Sequence, residues 1–151
     1  MIIHHSRDSK AHYLIAQYME DVFRREVRNI GVFVHKGDSF AARFVGETEP
    51  GVIDGRRTKS FVAPDVYRQW VQYWRRILST QADPFSGLMQ YPSANYPVVQ
   101  GGEIMDTGDD SAEQVCQFLY SALVADGGFA RAFEPESEEV VQLQGTLPRD
   151  L

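Results

Sequence analysis

Apolar and polar positions alternate through the first third of the chain. Residues 12–21, HYLIAQYMED, put Tyr13, Ile15, Gln17 and Met19 on one side of an extended segment and Leu14, Ala16 and Tyr18 on the other. That period of two marks a strand. Apolar residues on both sides predict a strand covered on both faces, or covered on one and applied to a partner on the other. Residues 26–35, EVRNIGVFVH, predict a second strand, with Ile30, Val32 and Val34 opposed to Gly31, Phe33 and His35. Lys36 to Ser39 spells a tight turn around Gly37, and residues 39–47 return with Phe40, Ala42 and Phe44 alternating against Ala41, Arg43 and Val45. Residues 26–47 therefore read as a central β-hairpin. Gly31, inside its strand, predicts a bulge or the close approach of another backbone or an aromatic ring.

The period then lengthens. Residues 48–61 hold Pro50, Gly51 and Gly55 and read as a loop. Residues 63–80 read as a helix: Pro64 suits its first turn, and Asp65 complements the positive end of its dipole. Val66, Trp70, Tyr73, Trp74 and Ile77 fall on one face at helical spacing, leaving Arg68, Arg75 and Arg76 largely for the other side. Pro84, Gly87, Pro92 and Pro97 make residues 81–97 a long loop. Residues 96–106 predict a strand broken or bulged at Gly101 and Gly102. Residues 107–125 predict a second helix, capped by Asp109, Asp110 or Ser111 and ended by Gly127 and Gly128. Its apolar face is Val115, Phe118, Leu119, Ala122 and Leu123, with Cys116 beside it. The order β-β-β-α-β-α predicts an α+β fold: a mostly antiparallel sheet with two amphipathic helices packed on one face. Residues 1–128 form the domain. Residues 129–151 form an acidic tail in which EPESEE is linker-like, and Val140, Val141 and Leu143 suit a short added strand or docking on a partner.

Composition narrows the class. With 151 residues, 43% hydrophobic and 24% charged, the chain is an ordinary single globular domain. Its one cysteine, Cys116, excludes an internal disulfide framework and fits a reducing cytoplasm. No apolar run approaches the roughly 18 residues of a membrane span, and the opening MIIHHSRDSK lacks the apolar middle of a secretory signal. Charge is unevenly spread. Residues 1–100 carry 13 basic and 10 acidic side chains, whereas residues 101–151 carry 2 and 11. An acidic whole argues against non-specific nucleic-acid binding, while a local basic face in the first part remains available.

Catalytic motifs are sparse. His4, His5, His12 and His35 show no metal-ligand spacing. Phosphate-binding glycine loops and a nucleophile elbow are missing. Cys116 has no basic neighbour in sequence to activate it. Asp54, Asp83 and Glu103 are the carboxylates a metal-dependent nuclease would recruit, but Met105 stands where such a site wants lysine. The expectation is no catalytic residue, no metal and no cofactor. Arg56, Arg57, Lys59, Arg68, Arg75 and Arg76, near Trp70, Tyr73 and Trp74, form the candidate phosphate-binding set. The other candidate is the mouth of the second strand: Arg24, Arg25, Glu26 and Asn29, where charge meets the most apolar strand. Paired, these residues anchor a loop; grouped around a pocket, they grip a partner.

The run Tyr18, Asp21, Arg25, Glu26, Asn29, Ile30, Gly31 and Val32 resembles the signature of the uncharacterised bacterial domain-of-unknown-function family numbered 3037. DDSAEQVCQFLYSALV resembles the helix near that family's C-terminus. Gln17, Glu20 and the adjacency of Arg25 to Glu26 depart from the pattern; Arg24 restores the Arg-x-Glu spacing. The resemblance implies an accessory or partner-binding protein of a bacterial, phage or mobile-element system, beside a toxin, kinase or defence module. The combined expectation is a cytoplasmic, non-enzymatic binder of a protein partner, as a homo-oligomer or within a complex, with Arg24, Arg25, Glu26 and Asn29 as the contact. The alternative is a protein that binds or processes nucleic acid through Arg56, Arg57, Lys59, Arg75 and Arg76.

Overall fold

In the computed structural model, residues 9–24, 26–90 and 93–124 are described. Their elements in chain order are β1 (Ala11–Tyr18), β2 (Arg28–Lys36), β3 (Ser39–Phe44), β4 (Glu47–Glu49), β5 (Val52–Ile53), a 3-10 turn (Gly55–Arg57), α1 (Pro64–Thr80), α2 (Pro84–Gln90), β6 (Val98–Ile104) and α3 (Ala112–Leu123). The predicted hairpin is β2–β3, paired from Gly31↔Phe44 to Lys36↔Ser39. With β1 and β6 it makes a four-stranded antiparallel sheet in the order β3-β2-β1-β6. The chain is α+β, as the alternation of periods predicts. Among the described residues no helix is long and apolar enough to cross a membrane. Arg25, His4, His5, Gly127, Gly128 and the tail of residues 129–151 lie outside the described residues.

Helices cover both faces of the sheet, where the sequence predicts one. Phe33 and Phe44 point to the α1 side and meet Trp74, with ring centroids 5.9 and 5.4 Å away. His35 points the same way and meets Phe85 of α2. Val32 and its neighbour Arg43 point to the opposite side, where Cys116 and Tyr120 of α3 receive them. The reason is visible in β2 itself: Ile30, Val32, Phe33 and Val34 are all fully buried, and a strand apolar on both sides must be covered on both.

Two loops hold more structure than their composition predicts. Residues 48–61 contain most of the small β4–β5 hairpin and the 3-10 turn, and residues 81–97 contain α2. Both are too short to show a period. Asp83 caps α2 through Ser86 N, and α3 starts with a reciprocal capping box between Ser111 and Gln114.

Two bulges aim side chains. Pairing of β1 with β2 jumps from Ala16↔Gly31 to Gln17↔Asn29, so Ile30 is an extra residue. Arg28 and Asn29 thereby exchange faces. A Cβ on Gly31 would fall 2.3 Å from Phe44 Cδ1, so the aromatic approach that the sequence offers as one explanation of this glycine is also present. Along β6, Gly101 is the extra residue, as the paired glycines predict, and the Tyr13 ring lies where its Cβ would be.

Candidate functional site

The bulge at Ile30 splits the charged mouth of β2 rather than gathering it. Asn29 faces α3: Gln17 Nε2 donates to Asn29 Oδ1 at 3.0 Å, and Asn29 Nδ2 donates to the Leu123 carbonyl at 3.0 Å. Arg28 faces the other way. Its guanidinium lies 4.8 Å from the Phe61 ring centre and 5.6 Å from that of Tyr18, and donates to Ser60 Oγ. Consecutive residues thus tie the end of α3 and the loop before α1 to the sheet. Nearby, burial pushes the Tyr96 hydroxyl up to about 12, against the attraction of Arg28. Arg24 and Glu26 form an ion pair at 3.1 Å with side chains 66% and 70% exposed. Exposed pairs of this kind contribute about 0–1 kcal/mol. Asn29→Ala is expected to cost about 1–2 kcal/mol through the lost hydrogen bonds, and Glu26→Ala less than about 0.5 kcal/mol. Urea midpoints of the two variants check this order; a larger loss at Glu26 would contradict it.

Half of the basic set, Arg56, Arg68 and Arg75, is matched by carboxylates. Arg56 grips Asp54 through Nε and Nη2 at 3.1 and 3.0 Å, and the hydrogen bonds from Arg56 hold the Asp54 carboxyl below its ordinary range. Arg68 pairs with Asp65 at 2.7 Å. Arg75 turns inward, to Glu47. Arg57, Lys59 and Arg76 are exposed.

The Glu47–Arg75 pair closes the free edge of β3. Glu47 accepts from Arg75 Nε at 2.8 Å and Nη2 at 2.7 Å, from Phe44 N at 3.3 Å and from Gly51 N at 2.7 Å. Arg75 Nη2 also donates to the Ala42 carbonyl at 2.8 Å. Two side chains therefore occupy edge groups of β3 that a further strand would otherwise take. Burial is the main reason the Cys116 thiol beside this edge is pushed up to about 12. At neutral pH it is a protonated, packed sulfhydryl rather than a nucleophile.

The carboxylates weighed for a metal are dispersed. Asp54 is held by Arg56, Asp83 caps α2, and Glu103 lies 3.3 Å from His12 Nδ1. No three His, Cys, Asp or Glu side chains among the described residues are grouped to hold a metal ion.

Among the described residues, one apolar surface is concealed by the predicted core stripe. α1 buries Tyr67, Val71, Trp74 and Ile77, so the helix is rotated relative to that stripe. Tyr67 is fixed by its hydroxyl, which donates to the Val45 carbonyl at 2.6 Å, and by Phe61 stacked 4.0 Å away. Val66 is left 42% exposed, and Trp70 and Tyr73 are half-buried. With Gln69 they line a concavity of about 400 Å³. Trp70 is held there by stacking on Tyr96, centroids 5.7 Å apart, and by the edge of Tyr73. Val62, 69% exposed, extends the apolar surface. The sequence contains the signal, since apolar residues at 66, 70 and 73 and at 67, 71 and 74 form two overlapping stripes, wider than one packing face requires.

Compared with protein-family models, with curated proteins and with solved structures, the chain matches none.

Proposed function

We propose that this protein acts by holding a protein partner on the outer face of α1. The carrying observation is the concavity of Val66, Gln69, Trp70 and Tyr73, an aromatic and aliphatic depression open to solvent. Tryptophan, tyrosine and arginine are the residues that dominate binding energy at protein interfaces, and Arg76 lies one turn beyond Tyr73 on the exposed side. The matching partner presents an apolar side chain flanked by acidic ones. The resemblance of residues 18–32 to an uncharacterised bacterial family implies an accessory or partner-binding protein, in line with such a role. A nucleic-acid face has less support, because Asp54, Asp65 and Glu47 already neutralise Arg56, Arg68 and Arg75.

Val66→Asp tests this. The position is exposed, and an acidic residue near a helix start does not harm the helix. Recovery of the partner with tagged protein from its native cells should fall at least about tenfold, with the melting temperature unchanged. A second copy as partner would show as concentration-dependent sedimentation lost in Val66→Asp. Equal recovery with wild type and variant would remove the proposal.

A further inference from the structure

A helix is about 10 Å across and strands lie about 4.8 Å apart, so one helix covers about two strands. α3 packs on β2 and β3. On the same face, β1 and β6 present Tyr13, Ile15, Val99 and Ile104, all half-buried, with Ile15 directly opposite Val99. No described helix lies over them on this side. α3 itself is rotated away from its predicted stripe: it buries Cys116 and Tyr120 and leaves Phe118 66% exposed, with Ala122 exposed one turn on. Gln117 and Glu113 line the cleft at the β3 edge. Helical spacing therefore puts Phe118 and Ala122 on the flank turned toward β1. The result is an apolar shelf with the sheet as floor and α3 as wall.

From this geometry we infer that the shelf is the seat of the chain's own C-terminal segment, residues 129–143. The chain leaves α3 on this face, at the correct end: the Leu123 carbonyl is held by Asn29, which is bonded to Gln17 of β1, two residues from Ile15. The following sequence supplies Phe129, Phe133, Val140, Val141 and Leu143 among glutamates, apolar groups for the shelf and charge for its solvent side. Fifteen residues span about 22 Å as a helix and more when extended, enough to run the length of the seven-residue β6. A segment placed there gives β1 the second cover its two apolar faces demand. This inference stands apart from the partner proposal, which concerns the opposite face.

The test is a photo-crosslinking residue, benzoylphenylalanine, at Val99 of the full chain, with products mapped by mass spectrometry. The expected product is an intramolecular crosslink to residues 129–143, abolished by Val141→Asp with Leu143→Asp. In that tail variant, without any change in the sheet, amide exchange along β6 should rise about tenfold. Trp70 and Trp74 are the two tryptophans and both belong to α1, so their emission should stay unchanged. Crosslinks to a second copy, no crosslink to the tail, or a crosslink indifferent to the tail substitutions would overturn the inference. Unchanged exchange along β6 would overturn it too. A tryptophan shift in the tail variant would place the segment on α1 instead and equally overturn it.

Discussion

Glu47→Ala is expected to lower stability by about 3 kcal/mol, the lower end of what removing one partner of a buried ion pair costs. The Glu47 side chain is 4% exposed, whereas Arg75 keeps 23%, and that residual exposure sets the estimate at the lower end. The loss has three parts. Arg75 is left as a desolvated cation. Phe44 N and Gly51 N lose their acceptor. The edge of β3 loses a plug. For a domain of this size the melting temperature should fall by about 6–12 °C. Glu49→Ala, exposed at the other end of β4, is the control and should change stability by less than about 0.5 kcal/mol. A melting temperature for Glu47→Ala within about 2 °C of wild type would show that the pair is not a structural tie.

Gly31→Ala should cost about 2–3 kcal/mol, the upper part of the range for overpacking a core. Its methyl would sit 2.3 Å from Phe44 Cδ1, 2.8 Å from Cε1 and 3.0 Å from the Arg43 carbonyl. The Phe44 ring has little room to retreat, since Trp74 stacks on it at 5.4 Å and Phe33 meets it at 5.3 Å. Chemical denaturation measures the loss directly. Phe44→Leu combined with Gly31→Ala should recover part of it, because a smaller side chain yields the space; additive losses in the double variant would refute the contact as the cause.

The two candidate sites differ in how far local sequence revealed them. The β2 mouth was conspicuous because charge sits beside an apolar strand. Yet the direction of each side chain depends on one bulged residue, Ile30, whose extra position follows from pairing with β1 twelve residues upstream. Arg24 and Glu26 remain a surface pair, and Asn29 becomes a tie to α3. The basic set near α1 was legible as a list of residues, but not as a charge distribution. Asp54 lies close in sequence to Arg56, whereas Glu47 reaches Arg75 only across the fold. The groove at Trp70 was hidden because helical periodicity reports the width of an apolar arc, not which part of it is covered.

The sequence by itself determined the alternation of β1, β2 and β3, the turn between Lys36 and Ser39, the α+β class, the bulge at Gly101 and Gly102 and the two long amphipathic helices. These are properties of dihedral preference and period, carried by neighbours along the chain. Tertiary structure alone decided which helix covers which face, that Tyr67 and Val71 rather than Val66 enter the core, that Glu47 and Arg75 close the β3 edge and that Phe118 stays outside. Each of these is a choice among apolar or charged groups equivalent in local pattern. It is resolved by what stands opposite: an aromatic ring, a carbonyl, or a carboxylate tens of residues away.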